Sequence, residues 1–243
     1  MLFLFLLSSY LLNVLGSEKG PEIKTAFGTY NGFRYNEADV FLGIKYASPA
    51  RGEMRFEKPT FIERAKITIN ATAFGPRCFP TFKSDVNLEE ATYSEDCLFL
   101  NIMMPSKKLE DETGFPILFV IIGGAYNSPN VDSYGFEHWC DNFVSRGMIV
   151  VTIQYRHGFL GFFTTGDHYI YGNMALWDLT FGLFYVDNVI PIFNGNRKDV
   201  TVMGIDAGAA YASALALSPH SSFLFKKIIQ IGGGIYSGNF IHS

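Results

Sequence analysis

The chain has 243 residues and is 48% hydrophobic, enough apolar side chain for one sizeable core or for part of a larger one. Lys and Arg number 19 against 23 Asp and Glu, and the resulting charge of −4 speaks against nucleic acid or an anionic membrane surface as a partner. Aromatic residues make up 16% of the chain, with 24 Phe, which suits a large core or an aromatic-lined gorge.

Residues 2–16 form an apolar block at the N-terminus, too short and interrupted for a comfortable membrane span. The block has the length of a signal-peptide core, although the residues before it carry no Lys or Arg. Val14-Leu15-Gly16 offers a cleavage site, and Ser17-Glu18-Lys19-Gly20-Pro21 reads as the start of a mature chain. The competing reading is a buried N-terminal strand. No membrane span is expected in the mature chain.

Residues 23–35 alternate loosely around Gly28 and Gly32 and predict a hairpin; residues 39–46 predict a strand. Pro49, Gly52 and Pro59 punctuate a surface loop over residues 47–59. Asn70-Ala71-Thr72 is an N-glycosylation sequon, meaningful only in a secreted chain. The cysteines are Cys78, Cys97 and Cys140, with no C-x-x-C pair to suggest zinc or thioredoxin chemistry. In an oxidising compartment Cys78 and Cys97 could close a short loop, leaving Cys140 buried and inert or paired with something beyond this sequence.

Residues 97–103 predict a short strand ended by Pro105, and the polar residues 106–114 a turn. The unbroken apolar run over residues 115–122 predicts a strand buried on both faces, as in a parallel sheet covered by helices. Gly123-Gly124-Ala125-Tyr126 follows it, a loop able to aim backbone N–H groups at an anion, or an ordinary tight turn. Residues 134–146 have helical spacing and residues 148–154 predict another buried strand. Over residues 173–190, Leu176, Leu179, Leu183, Val186 and Ile190 recur in steps of three and four, a core-facing helix that Pro191 should end.

The most informative stretch is Val200-Thr201-Val202-Met203-Gly204-Ile205-Asp206-Ala207-Gly208-Ala209-Ala210. A β-branched strand meets a turn framed by Gly204 and Gly208, and a small-residue helix over residues 207–217 follows. That is the layout of a nucleophile elbow, G-x-S-x-G, with Asp206 in the serine place. A carboxylate has no hydroxyl for a histidine to deprotonate, so serine-type acyl transfer cannot start there. Its plainer use is to accept the left-handed turn, cap the helix and meet the positive end of the helix dipole. Residues 226–231 predict a last strand before Gly232-Gly233-Gly234. Strands alternating with helices argue an α/β doubly wound sheet with no internal boundary.

Over residues 23–234 the chain resembles the type-B carboxylesterase and cholinesterase family. Phe41-Leu42-Gly43-Ile44-Lys45-Tyr46-Ala47 is similar to the family's F-L-G-I-P-Y-A. Glu95-Asp96-Cys97-Leu98-Phe99-Leu100-Asn101 is similar to E-D-C-L-Y-L-N, Gln154-Tyr155-Arg156 with Gly161-Phe162 to N-Y-R…G-F, and Gly172-Asn173-Met174-Ala175-Leu176-Trp177-Asp178 to G-N-x-G-L-x-D. The resemblance implies an α/β-hydrolase fold with a mostly parallel sheet, truncated after the strand that follows the elbow. It implies a Cys78–Cys97 disulfide, a structural ion pair between Arg55 and Glu95, and an oxyanion hole from the N–H groups of Gly124, Ala125 and Ala207.

The departures from the family pattern are Asp206 for serine, Ile205 for the glutamate before it, and Ile122 for the histidine that often heads the oxyanion loop. The family's triad acid and histidine lie beyond the matched region. None of His138, His157, His168, His220 and His242 takes the base position. The expectation is a secreted, catalytically inactive family member, without metal or cofactor, that binds an extracellular protein if it acts at all. Inactive relatives such as neuroligins and neurotactin set that precedent. The alternatives are a hydrolase with residual or Asp-nucleophile activity, as in haloalkane dehalogenases, and a truncated product without function. In that last case residues 226–231 would leave an apolar sheet edge open.

Overall fold

The computed structural model describes residues 20–79, 93–107, 109, 113–123 and 131–236. The apolar block over residues 2–16, the expected cleavage before Ser17, and Gly124, Ala125, Tyr126 and His242 lie outside the described residues.

The expected hairpin over residues 23–35 is divided between two sheets. β1 (Glu22–Thr25) and β2 (Gly28–Asn31) pair antiparallel, and β2 belongs to a three-stranded sheet. Beyond Gly32, β3 (Phe33–Tyr35) pairs instead with β4 (Ala38–Lys45) in a seven-stranded sheet. β5 (Thr68–Asn70), which sequence periodicity does not reveal, completes the small sheet beside β2. Its three residues are too few for an alternation to show.

β6 (Phe99–Pro105), β7 (Phe115–Ile122), β8 (Ile149–Ile153), β9 (Gly195–Ile205) and β10 (Lys227–Ile231) complete the large sheet. Its order is β10-β9-β7-β8-β6-β4-β3. The four strands from β10 to β8 are parallel, and β6, β4 and β3 continue antiparallel. β7 sits between β9 and β8, which explains why it reads as one apolar run. Ile117, Phe119 and Ile121 enter the larger core, whereas Leu118, Val120 and Ile122 enter the smaller one on the opposite face. Each such side chain, fully buried, contributes about 1.5–3 kcal/mol.

Both faces are covered by helices, as a doubly wound sheet requires. α1 (Glu137–Asn142) brings Trp139 and Cys140 to the smaller core. The helix expected over residues 134–146 is shorter than its spacing suggests: Gly135 (φ 64°) turns the chain before it, and Phe143 (φ −124°, ψ −48°) breaks it into a 3-10 turn over Val144–Arg146. α2 (Gly158–Phe162) is a short turn that carries no clear sequence signal. α3 (Met174–Val189) lays Leu179, Leu183 and Val186 on the larger core, and α4 (Ala207–Leu217) adds Tyr211, Ala212 and Leu215. α3 ends at Val189, close to where Pro191 was expected to end it, and a 3-10 turn over Ile190–Phe193 follows.

β10 is the exception to this coverage. It is an edge strand, and all five of its residues, including Ile228, Ile229 and Ile231, are exposed.

Candidate active site at the elbow

The site lies at the carboxyl ends of β7, β8 and β9. β9 ends at Ile205, Asp206 takes φ 54° and ψ −122°, and α4 starts at Ala207. The turn is held on both sides: the Asp206 N–H donates to the Ile231 carbonyl at 2.8 Å, and the Ala209 N–H donates to the Asp206 carbonyl at 2.9 Å. Strand and helix cross so closely that only glycine fits the two framing positions. A Cβ on Gly204 would strike the Gly208 carbonyl, and a Cβ on Gly208 would strike the Ile121 carbonyl.

The head of the glycine-rich loop is docked on this turn. The Gly123 N–H donates to the Ile205 carbonyl at 2.9 Å, and a Cβ on Gly123 would lie 2.6 Å from the Ala207 nitrogen. Tyr155 braces the same point. Its hydroxyl donates to the Ile122 carbonyl at 2.9 Å, while its ring meets Tyr211 of α4 edge-on at 5.6 Å. Burial pushes the Tyr155 phenol well above its ordinary pKa, so this donor keeps its proton. Of the three N–H groups expected to line an oxyanion hole, that of Ala207 stands at the turn; those of Gly124 and Ala125 lie outside the described residues.

The expected cap is not made. The Asp206 side chain is exposed and forms no hydrogen bond to the first turn of α4. A capping side chain reaches back to the helix N–H groups from an extended backbone. The positive φ at Asp206 is not that backbone, and its Oδ1 lies 3.1 Å from where a Cβ on Gly232 would sit.

The described histidines do not supply a base. His138, His168 and His220 are exposed, and the His220 ring lies 4.9 Å from Trp177. His157 is buried with Nδ1 3.1 Å from the Tyr155 carbonyl, and its Nε2 has no partner among the described residues. Burial lowers its pKa, partly offset by that hydrogen bond. Among the described residues no group of three or more His, Cys, Asp or Glu side chains could hold a metal ion.

Two arginine–carboxylate forks are joined to one another through the Arg55 backbone. Arg55 grips Glu95 through Nε and Nη2, both at 2.6 Å. Arg156 grips Asp178 through Nε at 2.8 Å and Nη2 at 2.7 Å, and its Nη1 donates to the Arg55 carbonyl at 2.9 Å. The first pair is the one expected from the sequence. The second was missed, although Arg156 and Asp178 sit in two of the quoted motifs. Cys78 and Cys97 form a disulfide, and Cys140 is free and buried. Asn70 is exposed on β5.

Residues 19–243 match the family described as Carboxylesterase family. The chain belongs to the carboxylesterase family. Among its relatives, Gut esterase 1 of Caenorhabditis briggsae is 39% identical over 220 residues, covering 90% of this chain and 38% of that protein. Gut esterase 1 of Caenorhabditis elegans is 36% identical, covering 97% of this chain and 41% of that one. A solved thermophilic PNB esterase superposes with a TM-score of 0.78 at 30% identity, over 88% of this chain and 44% of its own. This carboxylesterase-family chain therefore has an α/β-hydrolase fold and spans about two fifths of the length of the curated relatives it matches.

Proposed function

We propose that this is a secreted carboxylesterase-family protein that acts by binding an extracellular protein rather than by hydrolysing esters. The observation that carries the reading is Asp206 at the apex of an otherwise intact elbow, between Gly204 and Gly208. On this reading Asp206 replaces the serine of active relatives. Whatever other residues accompany it, a carboxylate in that place cannot be deprotonated to an alkoxide, so serine-type acylation has no first step. The N–H groups of Ala207, Gly124 and Ala125 would keep the outline of an oxyanion hole without a nucleophile to serve it.

Secretion is supported by the apolar block over residues 2–16, by the Cys78–Cys97 disulfide, and by the exposure of Asn70 in its sequon. Expression of the full sequence in a eukaryotic secretory host should yield a glycosidase-sensitive mass that Asn70→Gln removes.

One observation favours a second reading. The Asp206 carboxylate is exposed and makes no hydrogen bond among the described residues, which leaves its oxygens open for attack. Such a nucleophile forms an ester that water must then cleave, and that step needs a base. Assay of the purified chain on an aryl ester separates the two: binding alone predicts no turnover above buffer. Turnover abolished by Asp206→Ala, or an adduct trapped on Asp206, would establish an enzyme instead.

A further inference from the structure

We infer that Asp206 is a site of spontaneous covalent rearrangement, in which its side-chain carboxyl closes on the backbone nitrogen of Ala207 to give a cyclic imide. The five-membered ring would contain Cα, Cβ, Cγ and the carbonyl carbon of Asp206 together with the Ala207 nitrogen. A nearly planar ring of this kind needs Cβ and that nitrogen on the same side of the Cα–C bond, eclipsed or close to it. Substituents on a tetrahedral L-carbon are spaced by about 120°, so Cβ eclipses the next nitrogen only when ψ is near −120°. Helix (ψ about −42°) and strand (ψ about +135°) both hold the two apart. Asp206 has ψ −122°, and it is held there by the bonds to Ile231 and Ala209 and by the packing of Gly204 and Gly208.

Neither reacting group has to break a hydrogen bond first. The Asp206 carboxylate is exposed and makes no hydrogen bond among the described residues. The Ala207 N–H opens α4, where helical geometry offers it no acceptor, and it donates to none among the described residues. The elbow thus fixes in advance the torsion that an unfolded chain visits rarely, which is how intramolecular reactions gain rate.

The step balances without a co-reactant. The Ala207 nitrogen attacks Cγ of the protonated carboxyl, the N–Cγ bond forms and the Cγ–OH bond breaks. The amide proton and the hydroxyl leave as water, and the mass falls by about 18 Da. Hydrolysis at Cγ restores aspartate; hydrolysis at the main-chain carbonyl gives isoaspartate, with Cβ in the backbone. The isoaspartate route lengthens the backbone between the two framing glycines, where strand and helix already cross closely, so the folded chain should disfavour it relative to the imide and aspartate. The chemistry uses only a carboxyl and a backbone amide, so it stands whether or not the proposed loss of ester hydrolysis holds.

The test compares the purified chain with a synthetic peptide of residues 199–226, both held at 37 °C in mildly acidic buffer and mapped by fragmentation mass spectrometry. Asp199, in the same peptide but within β9, serves as the internal reference. The expected result is water loss at Asp206 at least about tenfold faster in the folded chain than in the peptide, with Asp199 unchanged. Asp206→Asn keeps the shape and should lose ammonia with a similar acceleration. Rates in the folded aspartate and asparagine forms no faster than in their peptides would overturn the inference, as would water loss in this segment that persists in Asp206→Ala.

Discussion

Arg156 and Asp178 meet in the interior through two side-chain hydrogen bonds of 2.8 and 2.7 Å, with 2% and 0% of their side-chain surfaces exposed. Asp178 also accepts the Arg156 backbone N–H at 3.0 Å, so one carboxylate fixes both the side chain and the turn that leads into α2. Removing one partner strands a buried charge. Asp178→Leu or Arg156→Met should each lower stability by about 3–5 kcal/mol. The double variant should recover part of that loss, since neither charge is then left alone. Urea titration of the four proteins measures the coupling; strictly additive losses would contradict it.

His157 gives the fold an acid-sensitive point. Burial holds its pKa below the ordinary histidine value, with the Tyr155 carbonyl pulling the other way. Below about pH 6.5 the unfolded chain takes up a proton that the folded chain refuses, so stability is intact above that pH and falls as the pH drops toward the folded value. His157→Leu should flatten the decline in melting temperature between pH 7.5 and pH 5. An equally steep decline in the variant would mean that other groups carry it.

Cys140 should behave as an inert core residue. Its thiol is pushed up to about 12 by burial, with Asp141 and Glu137 adding repulsion. A thiol reagent at pH 8 is expected to leave it untouched in the folded chain and to label it at once in denaturant, because only the thiolate reacts. Rapid labelling under native conditions would contradict its burial.

The elbow holds Asp206 in a backbone conformation that glycine adopts freely and other residues adopt at a cost of about 1–3 kcal/mol. Asp206→Gly should therefore stabilise the chain by about 1 kcal/mol, after the extra flexibility that glycine gives the unfolded state is counted. Denaturant midpoints of the two proteins measure this. A destabilised glycine variant would mean that the carboxylate makes a contribution its exposed, unbonded position does not account for.

How far the sequence reveals this molecule depends on the range of each constraint. β7 is legible because both its faces are buried, and the start of α4 because Gly204 and Gly208 stand four residues apart in the sequence and meet each other across the turn. The break of the first hairpin at Gly32 is not legible, since the partners that divide it, β5 and β4, lie farther along the chain. α3 buries a wider face than its leucine stripe suggests, with Leu176 only half-buried while Asp178 and Tyr185 are fully enclosed. At the site, the glycine frame and Ala207 were readable from composition. The direction of the Asp206 side chain was not, because it follows from a dihedral angle imposed by β10 and α4 together. Arg156 with Asp178 was hidden for a similar reason: nothing local marks which of the chain's many charges are enclosed.

The flank of β10 has a practical consequence. Among the described residues no strand pairs with its outer rim, where main-chain donors and acceptors stand between exposed isoleucines, and a second such rim is the nearest chemical match for it. Handled alone at high concentration, this polypeptide should scatter light and clump well before its melting temperature. Dilute solutions, or a charged residue written into the middle of Lys227–Ile231, are the conditions under which it stays dispersed.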